Sequence, residues 1–201
     1  RKVDFDTYDV TVEDLVRRVA RRRIDIAPIY QRQFRWDIER QSRLVESVLL
    51  GIPVPPLFMA TNSGEGVQAT WEVVDGLQRL LSLVNFVGEA DARQSANLPD
   101  AFRLRGLEKL QHFEGCRFAD LPQDVQDFLL DRPMKVVVLN DKSQLQVRYD
   151  LFERLNTGGI SLTPHEIRES VYRGEFVDLL TELAASVDFR TVVVLPDARW
   201  K

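Results

Sequence analysis

The chain has 201 residues, of which 44% are apolar and 29% charged, and its formal net charge is -4. Those proportions suit a soluble globular protein with a real core and exclude a disordered or fibrous chain. The acidic sum excludes a protein whose whole surface grips nucleic acid through charge. Cys116 is the only cysteine, so neither an intrachain disulfide nor a thiolate metal cluster is available, which fits a reducing cytoplasm. With His112 and His165 as its two histidines, the chain lacks the parts of a histidine–metal nuclease. No run approaches ~18 consecutive apolar residues, so no membrane span is expected. No signal-peptide pattern opens the sequence. It begins at Arg1 and ends at Lys201, and is expected to be part of a longer protein.

Along the chain, Thr11 reads as the N-cap of a helix reaching about Arg23, with Asp14 at its third position and Leu15, Val16 and Val19 on one apolar face. A polar-aromatic segment, Tyr30 to Trp36, follows. Asp37 caps a second helix that buries Ile38, Leu44, Val45, Val48 and Leu49 and stops at Gly51. Pro53, Pro55 and Pro56 stiffen the connection to a short strand, Leu57 to Ala60, whose partner runs from Ala69 to Val74. Asp75-Gly76 then opens a helix carrying Leu77, Leu80, Leu81, Val84 and Phe86. From Gly88 to about Leu121 the signals are mixed and predict an insertion of short elements with little chemistry.

The β-branched run from Met134 to Leu139 predicts a buried strand. A helix from about Ser143 to Leu155, the turn Asn156 to Gly159, and a capping box at Thr163-Pro164-His165-Glu166 come next. A last amphipathic helix carries Leu179, Leu180 and Leu183. Helices and strands interleave, so the expected class is α+β, or mixed α/β.

Three segments carry candidate chemistry. In Trp71 to Arg79 a strand ends, Gly76 permits a tight turn and a helix begins, so free N–H groups and the helix dipole would attract an anion. Arg79 could add a fork of donors for a phosphate, Asp75 could hold a divalent cation, and Gln78 could position a water. The plainer reading makes Asp75 an N-cap, Gly76 a turn residue and Arg79 a solvated charge. In Phe152 to Gly159, Arg154 leads into Asn156 and two glycines that can present N–H groups to an anion, or form only a helix C-cap. In Tyr30 to Trp36, Gln31, Arg32 and Arg35 interleave with aromatics in a pattern suited to phosphate contact and base stacking, or to plugging the core. Upstream, Arg17, Arg18, Arg21, Arg22 and Arg23 crowd one short stretch. They form either a DNA-contacting face, with Arg17, Arg21, Arg22 and Arg35 as its candidates, or a solvated one.

Taken in order, Ile29 to Trp36, Leu44 to Pro56, Val74 to Leu80 and Phe152 to Leu162 with Glu166 resemble the N-terminal domain of the GmrSD/SspE type of restriction and phage-defence proteins, over about Val12 to Arg173. That resemblance implies a ParB/sulfiredoxin-like nucleotide-binding domain: a single domain over 1–201 with its core at about 12–173 and a C-terminal helical extension at about 174–201. It implies binding, and hydrolysis, of a nucleoside triphosphate (GTP, ATP or CTP) with Mg²⁺. Asp75, Gln78 and Arg79 would be catalytic. Gln31, Arg32, Gly76, Arg79, Arg154 and Asn156 would hold the phosphates, and Asp75 with Asn156 the metal. The implied partners are DNA, including modified DNA, and a nuclease domain or subunit; a homo-oligomer is left open. Rival readings are a DNA-sensing module without catalysis and a protein-interaction domain that has lost hydrolysis. Members of the family usually carry Asp-Gly-Gln-Gln-Arg; here Leu77 stands at the first Gln.

Overall fold

The computed structural model describes residues 4–26, 36–62 and 70–140, with Leu183. The elements below all belong to the compact unit Arg1–Leu155, the first of two into which the chain divides. Strand β1 (Phe5–Thr11) runs into helix α1 (Val12–Ala20), followed by the short strand β2 (Ile24–Asp25) and helix α2 (Ile38–Leu49). Strands β3 (Leu57–Asn62) and β4 (Thr70–Asp75) precede helices α3 (Leu77–Val87) and α4 (Ala90–Ser95). Two short 3-10 turns, Gln111–Phe113 and Phe118–Asp120, lead to helix α5 (Gln123–Asp131) and strand β5 (Pro133–Leu139).

One five-stranded mixed sheet has the order β1-β5-β3-β4-β2. The β1/β5 and β3/β4 pairs are antiparallel, whereas β5/β3 and β4/β2 are parallel. The mixed α+β class expected from the interleaved pattern is what the chain adopts. Because side chains alternate across a sheet, Val10, Met134, Val136, Val138, Leu57, Met59 and Val73 turn to one face. There they join the helix residues Leu15, Val45, Leu80 and Val84 in a single core. No helix among the described residues is long and apolar enough to cross a membrane.

The helix ends follow their local chemistry. Thr11 caps α1, its hydroxyl accepting from the Asp14 amide, and Asp37 caps α2 by accepting from the Arg40 amide. Helix α2 ends in paired bonds, Gly51 N–H to the Val48 carbonyl and Ile52 N–H to that of Ser47, with Gly51 at φ +72. Helix α1 ends the same way with an arginine in the left-handed position: Arg22, at φ +54, donates to Val19, and Arg23 donates to Arg18.

Several features depart from the expectations. Strand β1 and helix α5 were not expected at all, and Ile38 is exposed rather than buried. The stretch 88–121 forms the short elements expected of it but is no surface appendage: Ala92, Ala96, Phe102, Leu104, Leu107 and Leu121 belong to the core. Phe86 of α3 stacks against Phe102 with ring centroids 5.2 Å apart. This region is also tied down by Glu46 of α2. Its buried carboxylate accepts from the amides of Glu108, Lys109 and Leu110 at 3.2, 2.7 and 2.8 Å.

Candidate functional site

The site is set by how β4 passes into α3. Asp75 ends the strand, and Gly76 takes φ +93, ψ 11 as the residue before the first helical turn. A left-handed conformation favours glycine, and here a larger residue would also have to displace its neighbours. A Cβ at position 76 would lie 2.6 Å from Leu57 Cδ2 and 3.0 Å from Arg79 Nη2. As the cap residue, glycine brings no side-chain oxygen of its own to the first-turn amides of α3, and the positive end of the helix dipole lies at this turn.

Asp75 is not the helix cap that the plainer reading made it. Its Oδ2 accepts from Arg79 Nη2 at 2.8 Å, and the same nitrogen donates to the Pro56 carbonyl at 3.2 Å. Nor is Arg79 a solvated charge, since its side chain is only 16% exposed. Its Nε is buried and has no hydrogen-bond partner among the described residues. A guanidinium carries five N–H donors, and Nη2 spends two of them on Asp75 and Pro56. A carboxylate and an arginine are therefore held side by side at a helix N-terminus.

Gln78 points its Oε1 at the Trp36 amide, 3.2 Å away. The Trp36 carbonyl accepts from Gln41 Nε2 at 2.9 Å, and Gln41 Oε1 accepts from Asn85 Nδ2 at 3.3 Å. Gln41 and Asn85 are buried, at 4% and 2% exposure, so this chain of amides lies in low dielectric, where each bond counts for more. It joins the end of the Tyr30–Trp36 segment to the Asp75–Arg79 motif. Sequence reasoning missed both amides. The available signal was a glutamine on the apolar stripe of α2 and an asparagine inside the run Leu80 to Val87. Leu77 packs against the core, so at this position the side chain serves the interior.

Of the other expected site residues, Gln31, Arg32, Arg35, Arg154 and Asn156 lie outside the described residues. The arginine cluster of α1 does not form one face. Arg17 and Arg18 both pair with Asp14, the latter at 2.7 Å, and Arg18 also lies 4.5 Å over the Trp71 ring. Burial pushes the Asp14 carboxyl up, but the hydrogen bonds from Arg18 and Arg17 outweigh it and hold it below the usual aspartate range. Arg22, with its backbone in the left-handed position, keeps an exposed side chain.

A strand–glycine–helix turn, with a carboxylate and a mostly buried arginine paired beside it, thus sits within a mixed α+β domain. The model of one family, the GmrSD restriction endonuclease N-terminal domain, matches residues 12–173, and the chain belongs to that family. Comparison with curated proteins and with solved structures gives no match.

Proposed function

We propose that this domain binds a nucleoside triphosphate with Mg²⁺ and hydrolyses it, as part of a restriction system that responds to DNA modification. The observation that carries the reading is the Asp75–Arg79 pair beside Gly76, with Arg79 Nη2 2.8 Å from Asp75 Oδ2 at the N-terminal end of α3. Phosphate oxygens suit that end: the first-turn amides and the guanidinium donate, and glycine lets the backbone approach closely.

Among the described residues no group of three or more His, Cys, Asp or Glu stands ready for a metal. Mg²⁺ needs no such cage, because it is commonly held by one or two carboxylates, waters and the phosphates themselves. Asp75, about a third exposed, fits as one such ligand. Bound there, Mg²⁺ would neutralise charge on the phosphate oxygens. Arg79 would turn from Asp75 to the phosphates, and Gln78 would help place the attacking water next to the Trp36 backbone. Gln31, Arg32 and Arg154 would add phosphate contacts, and DNA with a separate nuclease domain or subunit would complete the system.

The test is phosphate release by the 201-residue chain from each of the four nucleoside triphosphates, with and without Mg²⁺. Turnover of at least one, dependent on Mg²⁺, is expected. In Arg79→Ala it should fall ~10²-fold or more, the loss seen when a preorganised charge-stabilising donor is removed. Failure of all four to bind or turn over sinks the reading, and wild-type turnover by Arg79→Ala sinks the site.

A further inference from the structure

We propose a second ligand site, at the opposite end of α3 from Asp75 and Arg79, that takes a single nucleotide unit: one phosphate group attached to a flat, partly apolar body. A cavity of about 730 Å³ opens between α1, the loop joining α3 to α4, the turn Phe118–Asp120 and α5. Small-molecule sites run to roughly 300–1,000 Å³, so a mononucleotide fits and leaves room for water. Helix α3 has 11 residues, which at ~1.5 Å per residue puts about 16 Å between its two ends. The cavity therefore shares none of the residues proposed for triphosphate chemistry.

The lining states the ligand's chemistry. Arg17, Arg21, Arg93 and Arg117 reach the cavity from three different elements. Of these, Arg17 is tied to Asp14, and Arg93 donates to the Gly88 carbonyl. Arg21 and Arg117 stand on the exposed rim as the forks for a phosphate. The floor is apolar and aromatic: Phe86 meets Phe118 edge to face, 5.9 Å between centroids at 75°. Glu13, Glu89 and Asp91 share the rim. Those carboxylates oppose a run of phosphates, which argues against a duplex backbone lying across this face. They suit a ligand with one anionic end and N–H donors at the other, as the donor edge of a nucleobase provides. Arginine, carboxylate and aromatic floor together describe a nucleotide, either free or at the end of a strand.

Calorimetric titration of the whole chain with GMP, AMP, CMP, UMP and inorganic phosphate tests this. At least one monophosphate should bind one-to-one and ~10-fold or more tighter than inorganic phosphate, the increment expected from burying the base. Arg21→Ala/Arg117→Ala, which alters exposed side chains and should melt like the wild type, should weaken that binding ~10-fold or more. Arg79→Ala should leave it unchanged, which separates this site from the triphosphate site and makes either reading able to fail alone. Competition by a 5′-phosphorylated trinucleotide supports the site with a strand end as the source, and lack of competition supports it with a free nucleotide. Three results overturn the proposal: no monophosphate binding tighter than phosphate, wild-type affinity in the double variant, or loss of binding in Arg79→Ala.

Discussion

Two carboxylates in this domain lead opposite lives. Asp75 stands at a strand end, 30% exposed, with Oδ2 on one arginine and a helix N-terminus beside it. Glu46 is buried on α2, and its two oxygens accept three backbone amides of the 108–110 turn. Burial raises the Glu46 carboxyl, but the amides of Leu110, Lys109 and Glu108, with Arg43 beyond them, outweigh it and hold the group below the usual glutamate range. Asp75 is paired with a single side-chain cation, whereas Glu46 is paired with three amides of the backbone. The difference separates a carboxylate held by one side chain from one built into the backbone, and neither residue type nor charge shows it.

The same one-atom change at each site should split the two roles. Asp75→Asn keeps shape and a hydrogen-bond acceptor for Arg79 but loses the charge. Mg²⁺-dependent triphosphate turnover should fall ~10²-fold or more, while stability shifts by less than about 1 kcal/mol, the range for a partly exposed ion pair. Near-wild-type turnover in Asp75→Asn would return Asp75 to a structural part.

Glu46→Gln should do the reverse. Turnover per folded molecule should hold, and stability should drop by about 2 kcal/mol, since charge-assisted bonds to backbone are weakened and one acceptor becomes a donor facing amides. For a domain of this size that lowers Tm by roughly 4–8 °C. The pH dependence has a definite sign. With its folded-state pKa lowered, Glu46 stabilises fully above the ordinary glutamate value of about 4.3. That stabilisation is lost as pH falls through the folded-state value. Melting curves of wild type and Glu46→Gln should therefore converge on acidification; parallel curves would remove the charge from the account.

The amide chain from Gln78 to Asn85 sharpens the comparison at smaller scale. Asn85→Leu leaves Gln41 Oε1 without its donor and should cost ~1–2 kcal/mol. Adding Gln41→Leu should cost less than the two single effects summed, by ~0.5 kcal/mol or more, because the pair acts as one unit. Strict additivity in denaturant melts would dissolve the chain into separate contacts. Smallest is Arg22→Gly. Arg22 holds φ +54 at the end of α1, where α2 has Gly51, so glycine there should stabilise by up to ~1 kcal/mol, the strain of a left-handed non-glycine residue.

Read along the chain, Asp37 and Gly51 bracket α2 through chemistry confined to a few neighbouring residues, as do Thr11 at α1 and the β-branched run of β5. Such signals survive in the sequence because caps and periodic faces act within one or two turns. The Asp75–Arg79 motif was legible as a candidate for the same reason: strand, glycine and helix are adjacent. Strand β1 was not legible. Its first five residues are exposed, so no apolar alternation marks it, and only pairing with β5, more than 120 positions away in its register, makes it a strand. The 88–121 stretch read as an insertion of short elements because its apolar residues follow no sustained helical or strand period. They find their partners on α3, and its backbone finds Glu46. What neighbours in sequence decide by capping and periodicity could be read from the sequence alone. Whether Asp75 capped a helix or met an arginine, and whether Gln78 faced solvent or Trp36, waited on the tertiary structure, because those contacts are chosen by desolvation and by groups brought together only in the folded chain.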